Sequence, residues 1–303
     1  MRHKKTIIQF TSNTIVIGII IMLVGDFLFA ANDAMGKWLA ASFTAGQILF
    51  VRSIGAFIVL GPLLPGKSSK GFFTPQKPLM LFIRIICATG DTGLFYAAVA
   101  YLPLTDVMTF YMAGPIYVAI LSHFFLGEKM RWRRWLAIFV GFIGVLIALQ
   151  PSAQIFETPG TLFAILASFC FAGLIILSRV LRETSDTVLV TWQTIAALIV
   201  GGILCLFSWQ QPSTIQWFSL LLLGVVSCLG HLFISRATKL APASLLAPLQ
   251  YTLLLWAILF DFFIFKHPPA WYTIVGAIII ILSGLFIFHR KKVVEQDVPT
   301  DLV

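Results

Sequence analysis

Along most of the chain the apolar residues are continuous, not spaced. Ile116–Leu126 reads IYVAILSHFFL, with Ser122 and His123 as its only strongly polar interruptions. A membrane barrel strand is about 10 residues of strict alternation, and the long unalternated runs here do not fit it. A helix needs about 20 apolar residues to cross the hydrocarbon core. Ten runs meet or approach that length, near 14–36, 44–64, 79–101, 104–126, 135–149, 160–180, 187–208, 215–235, 243–265 and 271–288, the fifth being short. Prolines stand at the joints: Pro62 and Pro65, Pro103, Pro151, Pro159, Pro212, Pro242 and Pro268-Pro269. The pattern predicts an all-α integral membrane protein of ten transmembrane helices.

The basic residues give these runs a direction. With the N-terminus placed in the cytoplasm, seventeen of the 21 Lys and Arg fall on cytoplasmic segments. Lys37 and Lys266 fall on the other side, and Arg52 and Arg84 fall within spans. Cytoplasmic loops carry such an excess, so both termini are expected in the cytoplasm of a multi-pass protein of the inner (plasma) membrane.

The two halves also slide over each other. Pro103 and Trp132 are 29 residues apart, as are Pro242 and Trp271. Phe27, Phe29 and Ala30 match Phe169, Phe171 and Ala172 at an offset of 142, and the offset then drifts to 139. Five helices per half is odd, so the second half enters from the opposite side. Inverted repeats of this kind are a common transporter architecture. The expected division is a cytoplasmic N-terminus over 1–13, one repeat over 14–150, the other over 151–290, and a cytoplasmic tail over 291–303.

Composition agrees with a lipid solvent. Only 11% of the 303 residues are charged and 59% are hydrophobic, with 28 Phe and 8 Trp. Soluble domains are nearer a quarter charged. The net charge of +9 sits in short clusters between apolar runs, so no nucleic-acid partner is expected. Cys87, Cys170, Cys205 and Cys228 lie singly inside runs, without CxxC or zinc spacing, and read as packing residues. The stretch Thr14–Ala31 is too long for a signal peptide's apolar core and reads as a retained first helix. There is no GxxxxGK[ST], HExxH or GxSxG, so neither ATP drive within this chain nor an enzyme site is indicated. No cofactor and no metal are expected; the partners are a small-molecule substrate and the lipid bilayer. Gly141, Gly144, Gly276 and Gly284 read as helix packing or as a homodimer contact.

Several motifs resemble the drug/metabolite transporter superfamily, in particular its EamA-type members with ten helices. They are NDAMGKWLA (32–40), QILFVRS (47–53), LPLTDV (102–107), LGEKMRWRRW (126–135) and GFIGVLIALQP (141–151), then LAPASLLAPLQY (240–251) and GAIIIILSG (276–284). The wording of helices 1 and 2 is most similar to the branch of S-adenosylmethionine and riboflavin uptake carriers, while other members resemble amino-acid and metabolite exporters. The second half departs from the pattern: Phe-Lys-His (265–267) stands where the first has Leu-Gly-Glu (126–128). The resemblance implies secondary active transport of a small organic metabolite by alternating access. A cationic or zwitterionic solute such as S-adenosylmethionine is the first expectation, with riboflavin import or metabolite export as alternatives.

Polar groups inside spans are the site candidates, because a charge at the bilayer centre costs about 2.5–3.5 kcal/mol and so usually faces a cavity or a partner. Asp91 reads as a cavity carboxylate for a cation or proton, or as a structural partner of Arg84, seven residues earlier on the same face. His231 falls near the equivalent point of the other repeat, either coupling protons or simply hydrogen-bonded. Asp26 and Asp33 share one face of helix 1 with Asn32 beside them, and Arg52 is set to neutralise one of them. Tyr111 and Gln250 correspond at offset 139. Tyr251, Trp192 and Gln193 complete the substrate-binding or proton-coupling candidates, with aromatic packing as the alternative. Pro115 and Pro248 are positioned to break or kink their helices. Asp106 and Asp261 are expected to be solvated at helix ends, and Glu128 to lie in a cytoplasmic loop.

Overall fold

A computed structural model describes residues 12–64, 77–99, 101–102, 104–128, 132–151, 158–263 and 268–296. Within them the order is α1 (Ser12–Ala40), α2 (Ala45–Leu63), α3 (Pro78–Val99), α4 (Leu104–Tyr111), α5 (Gly114–Leu126) and α6 (Trp132–Leu149). There follow α7 (Pro159–Val180), α8 (Asp186–Cys205), α9 (Thr214–Leu240), α10 (Ala243–Leu246), a 3-10 turn over Ala247–Tyr251, α11 (Thr252–Phe263) and α12 (Trp271–Gln296). Every described element is helical. Among the described residues nine stretches, with broken ones joined, are long and apolar enough to span a membrane; a tenth apolar stretch, Trp271–Ser283, is shorter.

The helix ends follow local chemistry. The Thr44 hydroxyl accepts from the Gln47 amide and caps α2. Ser213 and Gln216 form a reciprocal capping box at the start of α9, satisfying donors that the first turn leaves free. Pro78, Pro115 and Pro159 stand at helix starts, where a missing N–H costs nothing.

Two expected spans are interrupted. The run 104–126 is divided between α4 and α5 at Met112-Ala113, just before Pro115. The run from 243 passes from α10 into the 3-10 turn that holds Pro248 before becoming α11. Proline removes one hydrogen bond and clashes with the preceding turn, which accounts for both breaks. At the C-terminus, the tail expected from 291 continues α12 as far as Gln296. Residues 1–11 and 297–303 lie outside the described residues, as does the side chain of Asp261. Asp106 is buried, not solvated. It sits in the first turn of α4, where the helix N-terminus favours an anion.

Side chains are arranged inside out relative to a water-soluble bundle. Phe82, Phe124, Phe218 and Ile58 are exposed, while Asp26, Gln47, Arg84 and Gln250 are buried. The principal packing pairs are α1 with α9, α3 with α7, and α6 with α12; α2 lies against both α8 and α9. The α2–α9 and α6–α12 crossings are among those that depend on missing side chains. A Cβ on Gly224 would fall 1.9 Å from the Arg52 carbonyl oxygen, so α2 and α9 meet backbone to backbone. A Cβ on Gly276 would fall 2.4 Å from the Gly144 oxygen. Gly141, Gly144 and Gly276 are therefore occupied by packing within the chain, which leaves them unavailable as a homodimer contact; the side of Gly284 lies outside the description.

Candidate functional site

The polar residues of α1, α2, α3 and α9 converge near the two helix breaks. Asp26 accepts from the Thr252 hydroxyl at 2.9 Å, and the Asn32 amide donates to Asp33 at 3.1 Å. Asp91, on α3, accepts from the Tyr111 hydroxyl at 2.5 Å. Tyr111 is the last residue of α4, so the interruption of that span delivers its phenol to the carboxylate. Arg52, fixed by the Gly224 crossing, donates to the Ser227 hydroxyl. His231 packs edge-on against Phe29, with centroids 4.9 Å apart.

These groups line one cavity of about 60 Å³. Of the expected residues it brings together Asp26, Asn32, Asp33, Arg52, Asp91, Tyr111, His231 and Gln250. Asp26, Asp33 and Asp91 form no ion pair with Lys or Arg among the described residues, where the recorded pairs join Asp186 to Lys239 and Arg236. Both amide atoms of Gln250 and Oδ1 of Asn32 are buried without a hydrogen-bond partner among the described residues. A buried polar atom left unpaired costs roughly 1–3 kcal/mol, and its usual explanation is a water, an ion or a ligand. The cavity shares Asp33 and Met108 with a larger one of about 400 Å³, which reaches Lys37, Pro268, Pro269 and Tyr272.

Four expected residues lie elsewhere. Arg84 is a buried crosslink: Nε donates to Ser178 Oγ at 3.0 Å, and Nη1 to the Leu189 carbonyl and to Gln193 Oε1, each at 3.0 Å. It thus joins α3, α7 and α8 and does not pair with Asp91. Gln193 is consumed as its acceptor and borders a smaller cavity of about 30 Å³, which shares Arg52, Thr92 and His231 with the first. Trp192 packs against an apolar cluster of Leu81, Leu181 and Leu189. Tyr251 points away, its hydroxyl donating to the Ile138 carbonyl at 3.0 Å.

The sequence reading missed the aromatic walls: Phe29, Phe95, Tyr96 and Phe171 also line the cavity. Phe29 and Phe171 were visible as a matched pair of the internal repeat, and their rings sit 6.3 Å apart, edge to face. Glu128 does lie in the loop that follows α5, but its side chain is engaged there. It is no free loop residue: Oε1 accepts from the Ala243 amide at 3.2 Å and Oε2 from the Ser244 amide at 2.9 Å, at the start of α10. Arg134 adds a bond to the Ser244 hydroxyl at 2.8 Å. Gly127, with φ of 65°, makes the left-handed turn that ends α5 just before Glu128.

Residues 16–150 and 158–289 each match the EamA-like transporter family. The chain belongs to that family. It is a multi-pass membrane transporter and not an enzyme. An S-adenosylmethionine uptake transporter of Rickettsia conorii (strain ATCC VR-613 / Malish 7) is 31% identical over 271 residues, covering 87% of this transporter and 89% of the relative. The pseudopaline exporter CntI of Pseudomonas aeruginosa is 26% identical, covering 91% and 97%. A riboflavin transporter of Vibrio cholerae is also 26% identical, covering 91% and 94%. One crystal structure, 15% identical to the transporter, superposes with a TM-score of 0.78 over 89% of the chain and 96% of its own. At that identity the likeness speaks for the fold alone.

Proposed function

We propose that this transporter takes up S-adenosylmethionine, or a solute of the same cationic and zwitterionic chemistry, by alternating access. The observation that carries the reading is the cluster of Asp26, Asp33 and Asp91 around one cavity, with no ion pair to them among the described residues. A sulfonium or ammonium centre supplies the missing positive charge. Arg52 in the same wall offers a carboxylate partner, and the aromatic faces suit a cation or a flat ring. Uptake relatives about 30% identical over most of the chain support the same substrate. The exporter and the riboflavin transporter mark the alternatives.

The cavity is walled by two repeats, 14–150 and 151–290, of five transmembrane helices each and of opposite topology. The packing supports this, since its pairs exchange between halves: α1 on α9 corresponds to α7 on α3, and α1 on α11 to α7 on α5. Both termini are cytoplasmic in this arrangement, as the Lys and Arg count requires. Glu128, Arg134 and the start of α10 then form a latch on the cytoplasmic side. Arg179 adds bonds to the Thr238 and Lys239 carbonyls, and Lys239 pairs with Asp186 at 2.6 Å. The 400 Å³ vestibule lies at the other end, so the form described is closed inward and open outward.

The test is uptake of labelled S-adenosylmethionine by bacterial cells expressing the chain, against empty-vector cells. Saturable uptake competed by unlabelled solute is the expected result. Its absence, with the protein present in the membrane, would reject this substrate and turn the search to riboflavin and then to export.

A further inference from the structure

Gln250 is 3% exposed, lies in the 3-10 turn created by the α10–α11 break, and borders the central cavity. Neither its Nε2 nor its Oε1 has a hydrogen-bond partner among the described residues. This is the least expected state for a buried amide, because one donor and one acceptor are left unmet side by side. The amide and the Phe171 ring border the same space: a Cβ at Gly114 would make ordinary contact with both, 3.5 Å from Oε1 and 3.9 Å from the ring. Tyr111 stands next to Phe171, with centroids 6.1 Å apart.

We infer that Gln250 is a specificity residue, whose amide takes the adjacent donor–acceptor edge of a flat nitrogen heterocycle of the aminopurine type held beside Phe171. An amide makes this paired contact with an exocyclic amine and a neighbouring ring nitrogen. Aromatic neighbours add stacking that tolerates any flat base. The carboxyl cluster and Gln250 then read separate parts of one solute, its cation and its base; for the cationic part the inference rests on the uptake reading above.

The test is binding by the purified full chain in lipid nanodiscs, using two probes that divide the solute. Methylthioadenosine carries the base without a cation, and S-methylmethionine carries the sulfonium amino acid without a base. The unaltered protein is expected to bind both. Gln250→Leu is expected to weaken methylthioadenosine roughly ten- to a hundredfold, the range of a lost bidentate base contact, with S-methylmethionine unchanged within about twofold. Gln250→Asn keeps the polarity but shortens the reach; it is expected to lose methylthioadenosine selectively as well, and it carries the test if the leucine variant does not fold. Equal weakening of both probes, no weakening of either, or no binding of methylthioadenosine by the unaltered protein would overturn the inference. Failure of S-adenosylmethionine uptake together with Gln250-dependent methylthioadenosine binding would reject the transport substrate and leave the inference standing. Uptake that is indifferent to Gln250 would do the reverse.

Discussion

Asp91 and Arg84 lie on the same helix and face different tasks. The Asp91 carboxylate has one donor, Tyr111, and looks into the cavity. Asp91→Asn is expected to reduce transport at least tenfold while folded protein stays in the membrane; unchanged uptake by that variant would remove Asp91 from the site. Arg84 has three acceptors on two other helices. Arg84→Met would strand them, at roughly 2 kcal/mol or more. The expected effect is a melting temperature in detergent lower by about 5 °C, and an unchanged melting curve would contradict the crosslinking role. Much at this scale was legible, because an ionisable group in an apolar span must face a cavity or a partner. Tyr251 was not, since successive side chains of a 3-10 turn diverge by about 120°. Gln250 and Tyr251 are neighbours in sequence and point to different compartments, the cavity and the backbone of α6.

At the scale of elements, unbroken hydropathy marked the spans well, and the two prolines hinted at the breaks. Where the chain pauses, at 112–113 and 247–251, depends on local geometry that hydropathy does not carry. Close helix crossings were legible only as glycines in spans, without their partners. The α2–α9 crossing gives a sharp test. Gly224→Val would drive a side chain into the Arg52 carbonyl, separating the helices and displacing the guanidinium. The expectation is loss of folded protein and of uptake. Gly61→Ala, on the same α2 but with nothing within 4 Å of an added Cβ, is the tolerated control. Equal expression and uptake for both variants would contradict the assigned crossing.

Across the whole molecule, the bias of Lys and Arg along the chain sets the expected orientation. The latch was invisible in sequence because Glu128 meets partners 115 and 116 residues away. Glu128→Ala would free the start of α10. In a cysteine-free background, a cysteine at Thr92 is expected to react with a membrane-impermeant thiol reagent from outside in the otherwise unaltered protein. With Glu128→Ala it should react from the cytoplasmic side as well; unchanged sidedness would exclude a gating role.

The latch has an economic side. Capture from a dilute medium scales with the fraction of carriers waiting outward, since apparent affinity is the intrinsic affinity multiplied by that fraction. On the proposed uptake reading, with this end cytoplasmic, every bond at Ser244 raises that fraction and so deepens scavenging. The same bonds must break before cargo is released inward, which slows each cycle. Tuning Glu128 and Arg134 therefore exchanges thrift at low supply for throughput at high supply, without altering a single atom that touches the solute.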